Sequence, residues 1–103
     1  MLGVGIMTGM KLSEFLDKVY HGGELEFRMG EVTYFVQSWQ EDGTYYLSVD
    51  DWTRTDGTEP QHDYRLWLAC KSPAERLKSF EKAKVFDGKD IYEVEAVVRV
   101  EFG

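Results

Sequence analysis

A chain of 103 residues with 12 Lys and Arg against 19 Asp and Glu carries a formal net charge of -7. That length supports one hydrophobic core and one domain, and the acidic balance argues against a nucleic-acid binder, which needs a basic patch to displace counterions. A single cysteine, Cys70, leaves no internal disulfide framework and favours a reducing, cytosolic setting.

Residues 1–9 are apolar but far shorter than the roughly 20 residues of a membrane span. The first basic residue, Lys11, follows the apolar run, whereas a secretory signal places its charge before it. This segment is expected to be a mobile extension on a single domain spanning residues 10–103. No later stretch is apolar for long enough to enter a membrane, and there are no repeats or low-complexity tracts.

Leu12, Phe15, Leu16 and Val19 recur at helical spacing, predicting an amphipathic helix over residues 11–21 that ends at Gly22-Gly23. Two alternating runs then flank Gly30-Glu31. A two-residue turn there pairs Met29 with Val32, Phe27 with Tyr34 and Leu25 with Val36, placing all six on one face. Asp42-Gly43 predicts a second hairpin that sets Glu41 opposite Thr44, Trp39 opposite Tyr46 and Val36 opposite Val49. The result is a three-stranded antiparallel meander over residues 24–52.

Residues 53–61 read as a polar loop. Tyr64, Leu66, Leu68 and Cys70 then alternate with Asp63, Arg65, Trp67 and Ala69, predicting a fourth strand. Ser72-Pro73-Ala74-Glu75 is a helix start with a serine cap and proline at the first helical position. The helix is expected to run to Lys84 and to bury Ala74, Leu77 and Phe80. Asp90 and Glu93 match a capping box, predicting a helical turn over 90–95. The β-branched Val97, Val98 and Val100 favour a final strand. The fold expected is α+β, an antiparallel sheet of three to five strands with helices packed on one face.

Leu12-Ser13-Glu14-Phe15-Leu16, Gly22-Gly23-Glu24-Leu25-Glu26-Phe27 and Phe86-Asp87-Gly88-Lys89 with Glu93 resemble a group of short uncharacterised proteins of anaerobic Firmicutes. The likeness covers residues 11–95 and departs at Lys11, where related chains carry a Thr cap. It implies a small bacterial cytoplasmic protein and assigns no residue a role.

Catalytic and metal signatures are weak. His21 ends the first helix, where an imidazolium complements the dipole. His62 and Asp63 are neighbours on a strand and point to opposite faces. With 2 His and 1 Cys there is no transition-metal spacing, so no metal or other cofactor is expected. Asp42, Asp50 and Asp51 lack the ligand spacing and closing glutamate of a calcium loop. Cys70 falls in the core phase as a buried thiol, and the glycines form no phosphate loop. The helix from Ser72 carries mixed charges unsuited to a membrane surface.

The second face of the sheet stands out. The same registers put Phe35, Trp39 and Tyr46 there, with Trp67 and Trp52, inside a rim of Glu24, Glu26, Arg28 and Asp50. An uncovered antiparallel face is normally polar, so this composition points to an interface, to cover by the chain's own helices, or to small-molecule stacking. The expectation is a non-catalytic acidic protein-binding module that forms a homodimer or binds a basic partner, as an antitoxin- or immunity-like protein does. The alternative is a small enzyme or ligand-binding protein with a pocket walled by Trp39, Tyr46 and Trp67 and His62 as proton carrier.

Overall fold

The computed structural model describes residues 7–53 and 63–103. Helix α1 (Leu12–His21) is followed by strands β1 (Gly23–Met29), β2 (Val32–Glu41), β3 (Thr44–Asp51) and β4 (Tyr64–Cys70), then by helices α2 (Pro73–Lys82) and α3 (Ile91–Val94). A 3-10 turn (Glu95–Val97) leads into β5 (Arg99–Phe102). The strands form one antiparallel sheet in the order β4-β3-β2-β1-β5, giving the α+β fold that the hydrophobic pattern predicts.

Both hairpins take the registers set by their turns. Met29 pairs with Val32, Phe27 with Tyr34 and Leu25 with Val36, while Glu41 faces Thr44, Trp39 faces Tyr46 and Val36 faces Val49. Asp42 and Gly43 hold φ of 51° and 77°, the left-handed conformation that a tight hairpin matched to strand twist requires. The predicted polar loop lies, apart from Thr53, outside the described residues, as does His62.

The helices close over one face. Phe15 and Val19 of α1, Phe80 of α2 and Ile91 and Val94 of α3 join Leu25, Phe27, Tyr34, Val36, Leu47 and Val49 in a single core. Phe27 sits at its centre, with ring centroids 5.3 Å from Phe15, 5.4 Å from Tyr34 and 5.6 Å from Phe86. Caps fix the helix starts. Ser72 Oγ accepts from the Glu75 N–H at 3.1 Å, and Asp90 and Glu93 form a reciprocal capping box. Lys11 makes no side-chain capping bond at the start of α1.

Two expectations are corrected. Residues 7–9, assigned from sequence to a mobile extension, are anchored: Met7 is 3% exposed within the core. Thr8 donates to Val98 O at 2.9 Å and accepts from the Val100 N–H at 2.8 Å. Burial of Met7 and the two backbone hydrogen bonds linking Thr8 to Val98 and Val100 hold the segment. Residues 1–6 lie outside the described residues.

The buried edge of α2 also differs. Ala74 is exposed and Leu77 half-buried, while Arg76 is 2% exposed. Its guanidinium is satisfied by backbone carbonyls: Nε donates to Val19 O at 2.9 Å, Nη2 to Tyr20 O at 2.7 Å, and Nη1 to Trp39 O at 3.0 Å and Tyr46 O at 3.4 Å. Burial pulls its pKa below the usual arginine value.

Candidate functional site

Because every helix buries its apolar side in the same core, none of the described helices covers the second face of the sheet. Cross-strand pairing arranges that face in three rows. One reads Glu24, Gln37, Ser48 and Trp67. On one side of it lie Trp39, Tyr46 and Ala69, and on the other Glu26, Phe35, Asp50 and Tyr64. The predicted residues Phe35, Trp39, Tyr46 and Trp67 therefore share one face.

The rings fall into two groups. Trp39 stacks on Tyr46 with centroids 5.3 Å apart and planes 16° apart, and Trp67 meets Trp39 edge to face at 5.3 Å and 72°. Trp39 is on β2 and Trp67 on β4, with β3 between them. Their rings meet diagonally across β3, where Trp67 is paired with the small Ser48, 1% exposed, and Trp39 with Tyr46. Phe35 pairs separately with Trp52 at 5.9 Å.

Tyr64 was not legible as part of this face, since strict alternation groups it with Leu66, Leu68 and Cys70. A β-bulge between Val49 and Asp50 shifts the register and turns Tyr64 to the side of Trp67, where the rings stand 5.2 Å apart and 86° to one another. Trp67 and Tyr64 remain 54% and 46% exposed, so this corner of the face presents its aromatic surface to solvent.

The rim is acidic, with one correction. Glu24 is exposed, accepting from Gln37 Nε2 at 3.4 Å, and Glu26 is half-buried. Arg28 is exposed, with its Nε 3.9 Å from Glu101 Oε1. Asp50, expected at the rim, is 1% exposed and accepts from the Asp63 N–H at 2.6 Å. The bulge beside it and its place between Phe35 and Tyr64 draw the carboxylate inward.

An open pocket of about 370 Å³ lies along the central row, lined by Glu24, Gln37, Trp39, Tyr64 and Trp67 with Gly23 and Ser38. Tyr46 does not line it; it supports Trp39 from the side. A larger hollow of about 640 Å³ lies on the helix side, bordered by Tyr34, Asp51, Arg65, Lys84 and Asp87. Asp51 and Arg65 engage each other there at 3.1 Å. Burial alone would raise the Asp51 pKa, but hydrogen bonds from the Thr53 hydroxyl and N–H and from Arg65 outweigh it and hold the carboxyl below its ordinary value. Arg65 also pairs with Asp63 at 3.1 Å, and Lys84 with Glu93 at 3.5 Å.

The remaining candidates take structural positions. His21 Nε2 lies 3.4 Å from Asp17 Oδ1, both side chains exposed. Cys70 is a buried free thiol whose pKa is raised by burial and by Glu75. Among the described residues no group of three or more His, Cys, Asp or Glu is placed to hold a metal ion, and no helix is long and apolar enough to cross a membrane. Compared with protein-family models, curated proteins and solved structures, the chain finds no match.

Proposed function

We propose that this chain is a non-catalytic, acidic protein-binding module whose contact surface is the aromatic face of its sheet, and that its partner is a basic protein. The observation that carries this reading is the solvent-facing corner of Trp67 and Tyr64 beside Trp39, on the side of the sheet away from the helices. Tryptophan and tyrosine are the residues that dominate binding energy when a partner excludes water from them. A homodimer through this face would bring two copies of the same acidic rim together, whereas a basic partner is drawn by a net charge of -7. An antitoxin- or immunity-like role and a cytoplasmic setting fit this chemistry.

The test is capture with the tagged chain from its native cells, followed by direct titration of the purified companion against wild type and Trp67→Ala. A loss of tenfold or more in affinity, about 1.4 kcal/mol, supports the face as the interface. A companion that binds both forms equally places the contact elsewhere and overturns the reading. A monomer–dimer equilibrium sensitive to Trp67→Ala replaces the basic partner with a second copy.

The pocket of about 370 Å³ supports a second reading, a small-molecule binder or small enzyme, since its size falls within the range of ligand sites. Thermal shifts in a metabolite screen that vanish in Trp39→Ala would favour it.

A further inference from the structure

Resting on the protein-binding reading, we propose that the pocket between Glu24 and Trp67 is a cation site that receives the guanidinium of an arginine side chain from the partner protein. The pocket combines two features that single out a cation. The first is ring geometry. Trp67 stands nearly perpendicular to both Trp39 and Tyr64, so the pocket corner is bounded by π systems in more than one plane. The negative ring face attracts a cation and gives an anion no comparable stabilisation.

The second is the carboxylate. Glu24 lines the same pocket and stands at the opposite end of the row from Trp67, across Gln37 and Ser48. Three strand spacings separate the two backbones, about 14 Å, and both long side chains border the space between. Among the described residues the Glu24 carboxylate has no ion pair and accepts only from the neutral amide of Gln37, at 3.4 Å. No cation among the described residues pairs with the negative end of the pocket.

A flat guanidinium suits this arrangement better than an ammonium. It stacks on an indole while its N–H fork reaches a carboxylate, whereas an ammonium is a compact, strongly hydrated point charge. The charge belongs to a protein because the aromatic surface continues beyond the pocket. Phe35 and Trp52 form their own pair on the same sheet face and do not line the pocket. A free small cation would touch only the rings of Trp39, Tyr64 and Trp67, whereas a protein surface spans both groups.

The experiment uses N-acetyl-arginine amide, with N-acetyl-citrulline amide as its neutral isostere, titrated against the full chain while the indole N–H resonances of Trp39, Trp52 and Trp67 are followed by NMR. Saturable shifts of Trp39 and Trp67, with Trp52 little changed, are expected for arginine, and citrulline should bind about fivefold more weakly or worse. Glu24→Gln, at an exposed position, should weaken arginine by a similar factor and leave citrulline unaffected. Equal binding of both amides, indifference to Glu24→Gln, or no shift at either indole would overturn the cation site. Should arginine fail while Trp67→Ala still releases the companion protein, the binding face stands and only its chemistry is overturned. Should arginine bind while the companion ignores Trp67→Ala, cation recognition stands and the protein-binding reading falls.

Discussion

Arg76 Nε donates to the carbonyl oxygen of Val19 at 2.9 Å, joining two buried residues 57 positions apart. The same guanidinium reaches Tyr20 in the last turn of α1 and the backbone of Trp39 and Tyr46 in the β2–β3 hairpin. A positive group at the carboxyl end of α1 complements the helix dipole, and Trp39 and Tyr46 are the stacked pair of the aromatic face. One side chain on α2 therefore fixes α1 and the backbone under the candidate interface together.

Arg76→Met removes all four of these bonds and leaves carbonyls of the last turn of α1 and of the hairpin without their donor. The expected cost is about 3 kcal/mol, read from urea unfolding at neutral pH. Arg76→Lys keeps the charge but not the fork, so it should recover less than half of the loss. A cost below about 1 kcal/mol for Arg76→Met would show that water replaces the guanidinium without penalty.

The anchoring of residues 7–9 is equally open to measurement. Met7→Ala empties a position 3% exposed in the core, which should cost about 2–4 kcal/mol. Gly9 has φ of 91°, and a Cβ there would lie 2.6 Å from the Val100 carbonyl oxygen, so Gly9→Ala should destabilise as well. A Met7→Ala variant as stable as wild type would show that the segment lies off the core in solution.

These results also mark where the sequence was legible. The turns at Gly30-Glu31 and Asp42-Gly43 predicted the registers of both hairpins, because a two-residue turn leaves one pairing and the apolar alternation agrees with it. The placement of Phe35, Trp39, Tyr46 and Trp67 on one face followed from those registers. Tyr64 was misplaced because a bulge inserts one residue without a signature in the alternation, whereas Asp50 lies on the predicted face and differs only in being buried. Arg76 escaped notice because its partners are carbonyls, which every residue supplies. Residues 7–9 read as an extension because Thr8 bridges to Arg99, at the far end of the sequence.

Acid should act on the fold through Asp51. Its folded pKa lies below the ordinary 3.8, so the carboxylate contributes stability that is fully present above that value and is lost as pH falls through the depressed one. Asp51→Asn removes the charge that Thr53 and Arg65 bind and should cost about 1.5–3 kcal/mol at pH 7. The gap to wild type should then narrow below about pH 4. Urea midpoints of both proteins between pH 2.5 and 7 read this directly, and a gap independent of pH would remove Asp51 from the acid response.

Alkali acts on Tyr92, whose hydroxyl donates to Glu81 Oε2. The hydrogen bond to that carboxylate, then burial, pushes its pKa up to about 12. The raised value means that this contact is intact below the ordinary 10 and is lost as pH rises through about 12. Glu81→Gln should return Tyr92 toward the ordinary value, seen in the ring resonances of a tyrosine-labelled sample. An unchanged titration would show that the pair does not form in solution.

Trp39 and Trp67 should separate stability from binding. Trp39 is half-buried, stacked on Tyr46 and touched by Trp67, so Trp39→Ala removes packing as well as surface and should cost about 2 kcal/mol. Trp67 is 54% exposed, and Trp67→Ala should cost less than about 1 kcal/mol. The double variant should fall short of the sum by about 0.5–1.5 kcal/mol, the worth of the edge-to-face contact. Partner binding follows a different order, since the more exposed ring has more surface for a partner to cover. Trp67→Ala should therefore lose most of the affinity while remaining folded. If it instead unfolds the protein as readily as Trp39→Ala does, the ring is part of the fold rather than of the interface.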